Sequence, residues 1–421
     1  MKRRRTVAVV GAGAAGTMAA IFAASEDAET LLLERTPDGG RKILVSGGGR
    51  CNVLPSRPAP ERFVTDSSPR ALVRILRAWP LREQIRFFEE TLGVPLAEES
   101  ETGKLFPASN RARDVRDALL ALARRRGATF VPNTLVTGLE PAGARWRVLR
   151  DGAPPLEMDA VVVAAGGLSV PKSGSDGRLF EVLRRLGHTI HPTYAALTPL
   201  TAPPVGPYLD LAGVSLPVSV TAEGAGRRSQ SSGGLLFTHR GYSGPSVLDV
   251  SHVAVRALEA GEAPRLAVRW TETAEAGWTE ALRPDGARTV AAALRGRLPE
   301  RLAAAIGAAA GVEPGRSLSQ LRRPERLRLV ETLVRGELPC AGHEGYAKAE
   351  VTGGGVSLDD VDPETLESRR APGLHLCGEI LDAFGPIGGH NFQWAWATGR
   401  AAGLAAAGAS DEAARLPPPR G

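Results

Sequence analysis

Two glycine clusters more than 350 residues apart carry the chemistry that this sequence offers. The first, Val7-Ala8-Val9-Val10-Gly11-Ala12-Gly13-Ala14-Ala15-Gly16, reads G-x-G-x-x-G after a short hydrophobic strand. In that pattern Gly11 makes a tight turn, Gly13 lets phosphate approach the backbone, and Gly16 permits close contact between helix and strand. Ala14 and Ala15 open the helix, whose free N–H groups and dipole favour an anion. A second strand, Leu31-Leu32-Leu33, ends in Glu34, 18 residues after Gly16. That is close to the spacing of about 20 expected of the acid that accepts ribose hydroxyls. Strand, turn, helix and acid together predict dinucleotide binding; a generic glycine-rich turn would leave Glu34 unexplained.

The second cluster runs Cys377-Gly378-Glu379-Ile380-Leu381-Asp382 and then Gly388-Gly389-His390-Asn391-Phe392-Gln393-Trp394-Ala395-Trp396. A Gly-x-x-x-Asp followed by a glycine pair at the start of another helix predicts a second anchor, and hence a long ligand. FAD has that length. Asp382 would accept a ribityl hydroxyl, and Gly388 and Gly389 would let the chain pass close beneath the isoalloxazine. A helix starting near Asn391 would aim its positive end at the N1/O2 edge, an effect of about 0.3–1 kcal/mol when exposed and up to about 2 when partly buried. Trp394 and Trp396 lie two apart and cannot both face the flavin, so one is expected in the core. A nicotinamide-only dehydrogenase would also use the first cluster, but it leaves Asp382 and the glycine pair without a role.

These clusters need a scaffold that brings them together. A chain of 421 residues is long enough for two or three domains. No run of about 18 apolar residues predicts a membrane span. Met1-Lys2-Arg3-Arg4-Arg5 resembles the start of a signal peptide, yet a glycine fingerprint follows it, so it reads as a solvated lead-in to the first strand. Cys51, Cys340 and Cys377 show no C-x-x-C spacing and no even pairing, which argues against disulfides and fits a reducing cytoplasm. The net charge of +6 and pI near 9.6 raise a nucleic-acid partner. The arginines are scattered, however, as in Arg124-Arg125-Arg126, Arg227-Arg228 and Arg322-Arg323, many of them beside acids, and no nucleic-acid partner is expected.

Periodicity predicts a helical stretch from Ala71 to Leu92, another from Arg111 to Arg126, a strand at Thr129-Phe130-Val131, a hairpin over Leu135–Leu139 and Arg145–Leu149, and a buried strand at Ala160–Val163. From about Leu197 short β-like runs with many glycines and prolines follow, then an Ala/Leu/Arg-rich helical region from Thr289 to Leu338. The expected division is a discontinuous nucleotide domain (1–195 and 346–421), a β-rich insert (196–280 and 339–345) and a helical subdomain (281–338), with a loose Pro-rich tail at Leu416–Gly421. A substrate cleft is expected where nucleotide domain and insert meet. The run Leu235–Pro245 reads equally as a loop that positions groups or as a plain β-hairpin.

Three further strings carry a family resemblance: Gly40-Arg41-Lys42-Ile43-Leu44-Val45-Ser46-Gly47-Gly48-Gly49-Arg50-Cys51-Asn52, Gly166-Gly167-Leu168-Ser169-Val170-Pro171-Lys172-Ser173-Gly174-Ser175-Asp176-Gly177, and Leu236-Phe237-Thr238-His239-Arg240-Gly241-Tyr242-Ser243-Gly244-Pro245. With both glycine clusters, they make nearly the whole chain resemble the BaiN-like, aminoacetone-oxidase-like flavoproteins. The resemblance implies an α/β fold: a split glutathione-reductase-like FAD-binding Rossmann domain with an inserted β-barrel-like domain that carries a helical subdomain. Arg41 and Lys42 would neutralise pyrophosphate charge, and Ser46, Gly47, Gly48 and Gly49 would offer backbone N–H groups near the flavin. Arg35, Arg50, Cys51, Asn52, Val136, Ala165, Gly166, Gly167, Glu379, Asn391 and Phe392 complete the expected cofactor set. Cys51 is expected as a packed cysteine rather than a redox group. His390 stands where the family commonly has Tyr, and Ala383-Phe384-Gly385-Pro386 replaces an acidic or aromatic loop, so the substrate is left open.

The expected activity is an FAD-dependent oxidoreductase that moves a hydride through flavin N5 between a donor and a small organic substrate or oxygen. With no second fingerprint, NAD(P)H would dock transiently over the flavin or not at all. His239, Tyr242 and His390 are the candidates for substrate contact or proton transfer. No spacing of His or Cys predicts a metal. A flavin-carrying RNA-binding or RNA-modifying protein is the remaining alternative, and the oligomeric state stays open.

Overall fold

Val7, Ala8, Val9 and Val10 are apolar on both faces, the pattern of a strand covered by helices above and below. In the computed structural model, which describes residues 3–26 and 28–408, they form the middle of a five-stranded parallel sheet. Here β1 (Thr6–Val10) pairs with β2 (Glu29–Leu33) on one side and with the strand Ala160–Val163 on the other. Thr129–Val131 extends the sheet beyond β2, and Leu374–Leu376 extends it beyond Ala160–Val163. The register sets Val10 level with Leu33 and Val163, and Val163 level with Leu376. The carboxyl ends of four strands therefore finish on one line, the edge at which ligands bind in open α/β sheets. Backbone bonds close that edge: Gly11 N–H to Leu33 O at 2.8 Å, Ala164 N–H to Val10 O at 2.9 Å, and Cys377 N–H to Val163 O at 3.0 Å.

The chain divides into two units, residues 1–193 with 351–421 and residues 194–350. The Pro-rich tail and the first two residues of the basic lead-in lie outside the described residues. In the first unit α1 (Ala14–Ser25) packs on the last helix, His390–Ala407. Glycine makes this contact close: a Cβ on Gly399 would lie 2.3 Å from Ala15 O, and one on Gly403 would lie 2.3 Å from Ala19 O. Both indoles on the last helix are buried, where the sequence led us to expect one. Trp394 donates from Nε1 to Gly378 O at 3.1 Å and Trp396 to Val53 O at 3.0 Å. Two residues apart they leave the helix on different sides, but both sides are covered by protein.

The helical stretch expected from Ala71 to Leu92 is interrupted. It forms Pro69–Ala78 and Leu81–Arg86, with a wide turn at Phe87–Thr91. Pro80 lacks an N–H and pushes Trp79 out of the helical region, to φ −134° and ψ 90°. Ala112–Arg125 buries Val115, Leu119 and Leu122, as their spacing required. The hairpin Val136–Ala142 with Arg145–Arg150 gains a third strand, Ala153–Met158.

Residues 194–350 hold a seven-stranded sheet in the order Gly336–Glu337, Arg265–Arg269, Ser215–Gly224, Arg227–Phe237, Gly241–Ser243, Leu200–Thr201, Gly342–His343. Helices Glu275–Ala281, Val290–Leu294, Glu300–Ala309 and Arg323–Arg335 follow its long strands. The run from Leu235 to Pro245 contains the turn of an antiparallel hairpin, with Phe237 opposite Tyr242. Tyr242 is buried against Phe237 in T-shaped contact at 5.9 Å. Among the described residues no helix is long and apolar enough to cross a membrane.

The contact between α1 and the last helix leaves no room for a side chain. Gly403→Val is expected to cost about 3 kcal/mol, typical of overpacking, read as a lower midpoint in chemical denaturation.

Candidate cofactor site

The first anchor is the start of α1. Gly13 precedes it at φ −78° and ψ −167°, and no side chain caps the helix. Its first amides are thus left for a ligand. A Cβ on Gly13 would meet nothing within 4 Å, so open space faces those amides. Its neighbours are confined: a Cβ on Gly16 would sit 1.8 Å from Gly11 O, and Gly11 itself turns at φ +102° against Ala164. Ala14 is half-buried, and Ala15 is buried against Gly378. Glu34 is buried and fixed at the end of β2. Its Oε2 accepts from Ala12 N–H at 2.8 Å, and its Oε1 from Thr36 N–H at 2.8 Å and Thr36 Oγ1 at 2.7 Å.

The glycine-rich loop follows α2 (Arg41–Val45). Gly47, Gly48 and Gly49 adopt φ +55°, +67° and +87°, and a Cβ on Gly48 would again meet nothing within 4 Å. Behind them Asn52 Oδ1 is buried without a hydrogen-bond partner. Cys51 is fully buried and its thiol is pushed up to about 12 by that burial, so it packs rather than reacts.

The expected phosphate cations are balanced by carboxylates of the chain itself. Lys42 Nζ lies 2.6 Å from Glu379 Oε2 and donates to Ser169 Oγ at 2.7 Å. Arg41 pairs with Asp38 at 2.9 Å, Arg35 with Asp176 at 2.6 Å, and Arg50 with Glu99 at 3.0 Å while lying over the Phe106 ring. Glu379 is the hub of a network that sequence reasoning did not assemble. Its Oε1 accepts from Thr352 N–H at 3.0 Å, Thr352 Oγ1 at 2.8 Å and Ser169 Oγ at 2.6 Å. Thr352 Oγ1 in turn accepts from Leu168 and Ser169 N–H. This clamp holds the turn Ala165-Gly166-Gly167, where a Cβ on Gly167 would meet Thr352 Oγ1 at 2.4 Å. Val136 is buried at the start of its strand, opposite Arg150.

The far anchor centres on Asp382, which is 1 % exposed. Its Oδ2 accepts from Thr65 Oγ1 at 3.0 Å, Asp66 N–H at 2.9 Å and Ser67 Oγ at 2.7 Å, with His191 Nε2 at 3.7 Å. All these contacts fall on one oxygen, Oδ2, and none of them engages Oδ1. Thr65 to Ser67 and His191 escaped the sequence reading because no motif surrounds them. The last helix begins at His390 after Gly388 (φ +121°) and Gly389 (φ +89°), and no side chain caps it. A Cβ on Gly389 would lie 2.5 Å from Leu54 C, so the chain passes close to its neighbour there. Asn391 closes its own loop with two bonds to Gly385, and Phe392 stacks on Trp396 at 5.3 Å. His390 Nδ1 and Gln393 Oε1 are buried without partners. Burial and the nearby Arg62 cation push His390 down to about 4, so it is neutral at pH 7.

Two uncapped helix starts, open space over Gly13 and Gly48, and three orphaned polar atoms at Asn52, His390 and Gln393 all occur within one unit. These residues fit a dinucleotide that carries a flavin at its far end. His239 and Tyr242 belong to the other unit. His239 is exposed in the hairpin turn, and burial raises the Tyr242 phenol well above its ordinary range.

Comparison with known proteins shows the family and the fold. Residues 5–405 match the family described as HI0933-like protein Rossmann domain. The chain is 31% identical over 400 residues to a ribosomal RNA dihydrouridine synthase of Escherichia coli, covering 93% of this chain and 95% of that protein. It is 32% identical over 410 residues to a 3-dehydro-bile acid delta(4,6)-reductase of Clostridium scindens, covering 95% and 98%. In fold it is similar to a 3-ketosteroid-delta4-(5alpha)-dehydrogenase from Rhodococcus jostii, with a TM-score of 0.52 and 15% identity over 97% of this chain and 98% of that one.

Because Gly13 is extended and faces open space, Gly13→Val is expected to spare the fold and lower flavin content. Gly16→Val, which would collide with Gly11 O, is expected to lower the melting temperature of the flavin-free protein as well. Absorbance of the purified variants and thermal melts separate the two effects.

His390 supplies a pH dependence. Its folded pKa lies below the ordinary value near 6.5, so between 6.5 and about 4 the unfolded chain binds the extra proton. Its contribution to stability is complete above pH 6.5 and is lost as pH falls toward 4. His390→Asn is expected to lose less melting temperature than the parent between pH 7 and pH 4.5.

Proposed function

Since the chain belongs to the HI0933-like family and is an FAD-dependent oxidoreductase, we propose that it reduces a ring carbon–carbon double bond conjugated to a carbonyl, with NAD(P)H as the donor. The pairing of relatives carries this reading. Two proteins, matched at nearly equal identity over more than nine-tenths of this chain, are named for saturating ring double bonds. One makes dihydrouridine from a uracil ring; the other reduces a dienone in a bile-acid ring. The rings differ, but each presents an alkene whose electrons are drawn toward a carbonyl, which is what a hydride acceptor requires.

FAD, when bound, supplies the two-electron chemistry. The chain's own residues hold and tune it. The uncapped start of α1 would hold the pyrophosphate through backbone amides, with Glu34 on the adenosine ribose and Asp382 on a ribityl hydroxyl. The start of the last helix would direct its dipole at the ring edge that gains negative charge on reduction, a stabilisation of up to about 2 kcal/mol when partly buried. Lys42, tied to Glu379 and Ser169, fixes the turn at Gly166-Gly167 rather than meeting phosphate directly. His390, neutral at pH 7, would serve as a hydrogen-bonding partner for the ring or for a substrate carbonyl rather than as an imidazolium acid. A G-x-G-x-x-G follows a strand only at Gly11 to Gly16, which supports a donor that docks and leaves.

Anaerobic mixing tests the proposal. NADPH or NADH is expected to bleach the flavin absorbance, and cyclohexenone or a uridine-containing RNA is expected to restore it faster than buffer does. Restoration by oxygen alone, with neither unsaturated carbonyl compound active, would replace the reductase reading with an oxidase.

A further inference from the structure

The positive charge of this chain is concentrated in one place. Residues 286–328 contain nine arginines, no lysine, and three acids, Glu300, Glu313 and Glu325. That excess of six equals the net charge of the whole protein, and the rest of the chain balances at 43 basic against 43 acidic residues. Spacing along the sequence hides this, because the arginines fall on several short elements.

The structure brings those elements together. Val290 N–H bonds to Arg316 O at 3.0 Å and Leu318 N–H to Arg288 O at 2.8 Å, so residues 288–290 run antiparallel to 316–318. Ser319 Oγ donates to Gly286 O at 2.7 Å and lengthens this clasp. The clasp places Arg288 beside the segment that leads directly into Arg322 and Arg323, at the start of the helix Arg323–Arg335. Arg295 and Arg297 follow the short helix Val290–Leu294, which leaves the clasp on its other strand. Carboxylates do little to neutralise the group. Arg316 and Arg322 share Glu325. Arg301, Arg326 and Arg328 donate to backbone carbonyls, and Arg297 lies over the Trp278 ring. Arg288, Arg295 and Arg323 are exposed and have no acidic partner among the described residues.

We propose that residues 286–328 form a docking face for the phosphate backbone of a structured RNA. This rests on the reductase reading for its consequence alone: of the two ring classes considered above, the substrate would be a base within RNA. Arginine, which supplies nearly all the cations of this chain, suits phosphate, because the guanidinium fork donates two parallel bonds to phosphate oxygens and is weakly hydrated. An anionic membrane is the poorer occupant. Interfacial binding needs apolar residues beside the charges, and Leu327 is the one large hydrophobic residue exposed in this segment. The absence of aromatics from residues 286–328 predicts contact with backbone rather than with bases, and therefore weak sequence preference.

The test is equilibrium binding of the full-length, FAD-loaded protein to a fluorescently labelled transcript of a ribosomal RNA hairpin, at several salt concentrations. The triple variant Arg288→Gln, Arg295→Gln, Arg323→Gln is expected to bind at least about tenfold more weakly and to lower the log–log salt slope by roughly two to three, since each phosphate contact contributes about one. A charge-matched control, Arg70→Gln, Arg77→Gln, Arg82→Gln, is expected to stay within about twofold of the parent, as generic electrostatics would not distinguish the sets. The triple Arg→Lys variant, which keeps the charge, is expected to keep most of the slope and guards against a folding defect, with flavin content as a second check. Parent-like binding by the 288/295/323 variant, equal loss in the control set, or binding to phosphatidylglycerol vesicles but not to RNA would each overturn the proposal. None of these measurements involves turnover, so a failure here is distinct from failure to reduce cyclohexenone.

Discussion

Backbone pairing levels the ends of β1, β2 and the strands Ala160–Val163 and Leu374–Leu376, and the rest of the site depends on that level edge. Val10, Leu33, Val163 and Leu376 stop together, so the turns that follow them must share a small volume. Only glycine fits where those turns touch: Gly11 against Ala164, Gly16 against Gly11, Gly167 against Thr352 and Gly378 against Ala15. The same restriction reaches the helices, because Gly399 and Gly403 let the last helix lie against the backbone of α1. Two helix starts separated by more than 350 residues in sequence are thereby fixed in one unit.

Charge within that unit is largely paired. Lys42, Arg35, Arg41 and Arg50 each meet a carboxylate of the chain, and the two uncapped helix starts add dipoles and backbone amides that favour an anion. Such donors are already ordered and need no side chain to be fixed on binding. Burial acts in the same direction on the titratable groups nearby. His390 is held neutral and Cys51 is held as a thiol, so neither offers a charge that would compete with the cofactor.

Features that act through the backbone were legible in the sequence. The G-x-G-x-x-G turn, Glu34 and the pair Gly388-Gly389 depend on local spacing, and local spacing is what a sequence displays. Side-chain partners from distant segments were not legible. Nothing in the string around Lys42 points to Glu379, 337 residues on, and nothing marks Thr65 to Ser67 as the donors to Asp382. Lys42 read as a phosphate ligand with no sign of Glu379, whereas Asp38, the partner of Arg41, lies only three residues away. The break at Pro80 was visible as a residue but lost within a strong apolar period. The glycines around Tyr242 left loop and hairpin equally open, and the hairpin forms, with Gly241 packed against Leu200.

On the proposed reading one chain holds both halves of a dinucleotide, the adenosine half at α1 and the flavin half at the last helix. Calorimetric titration of the flavin-stripped protein with FAD and with FMN tests this most directly. FAD is expected to saturate at one per chain, and FMN, which lacks the half proposed for Gly13 and Glu34, to bind much more weakly. Equal affinity for FMN and FAD would contradict it, because the glycine turn at α1 would then contribute nothing to the site.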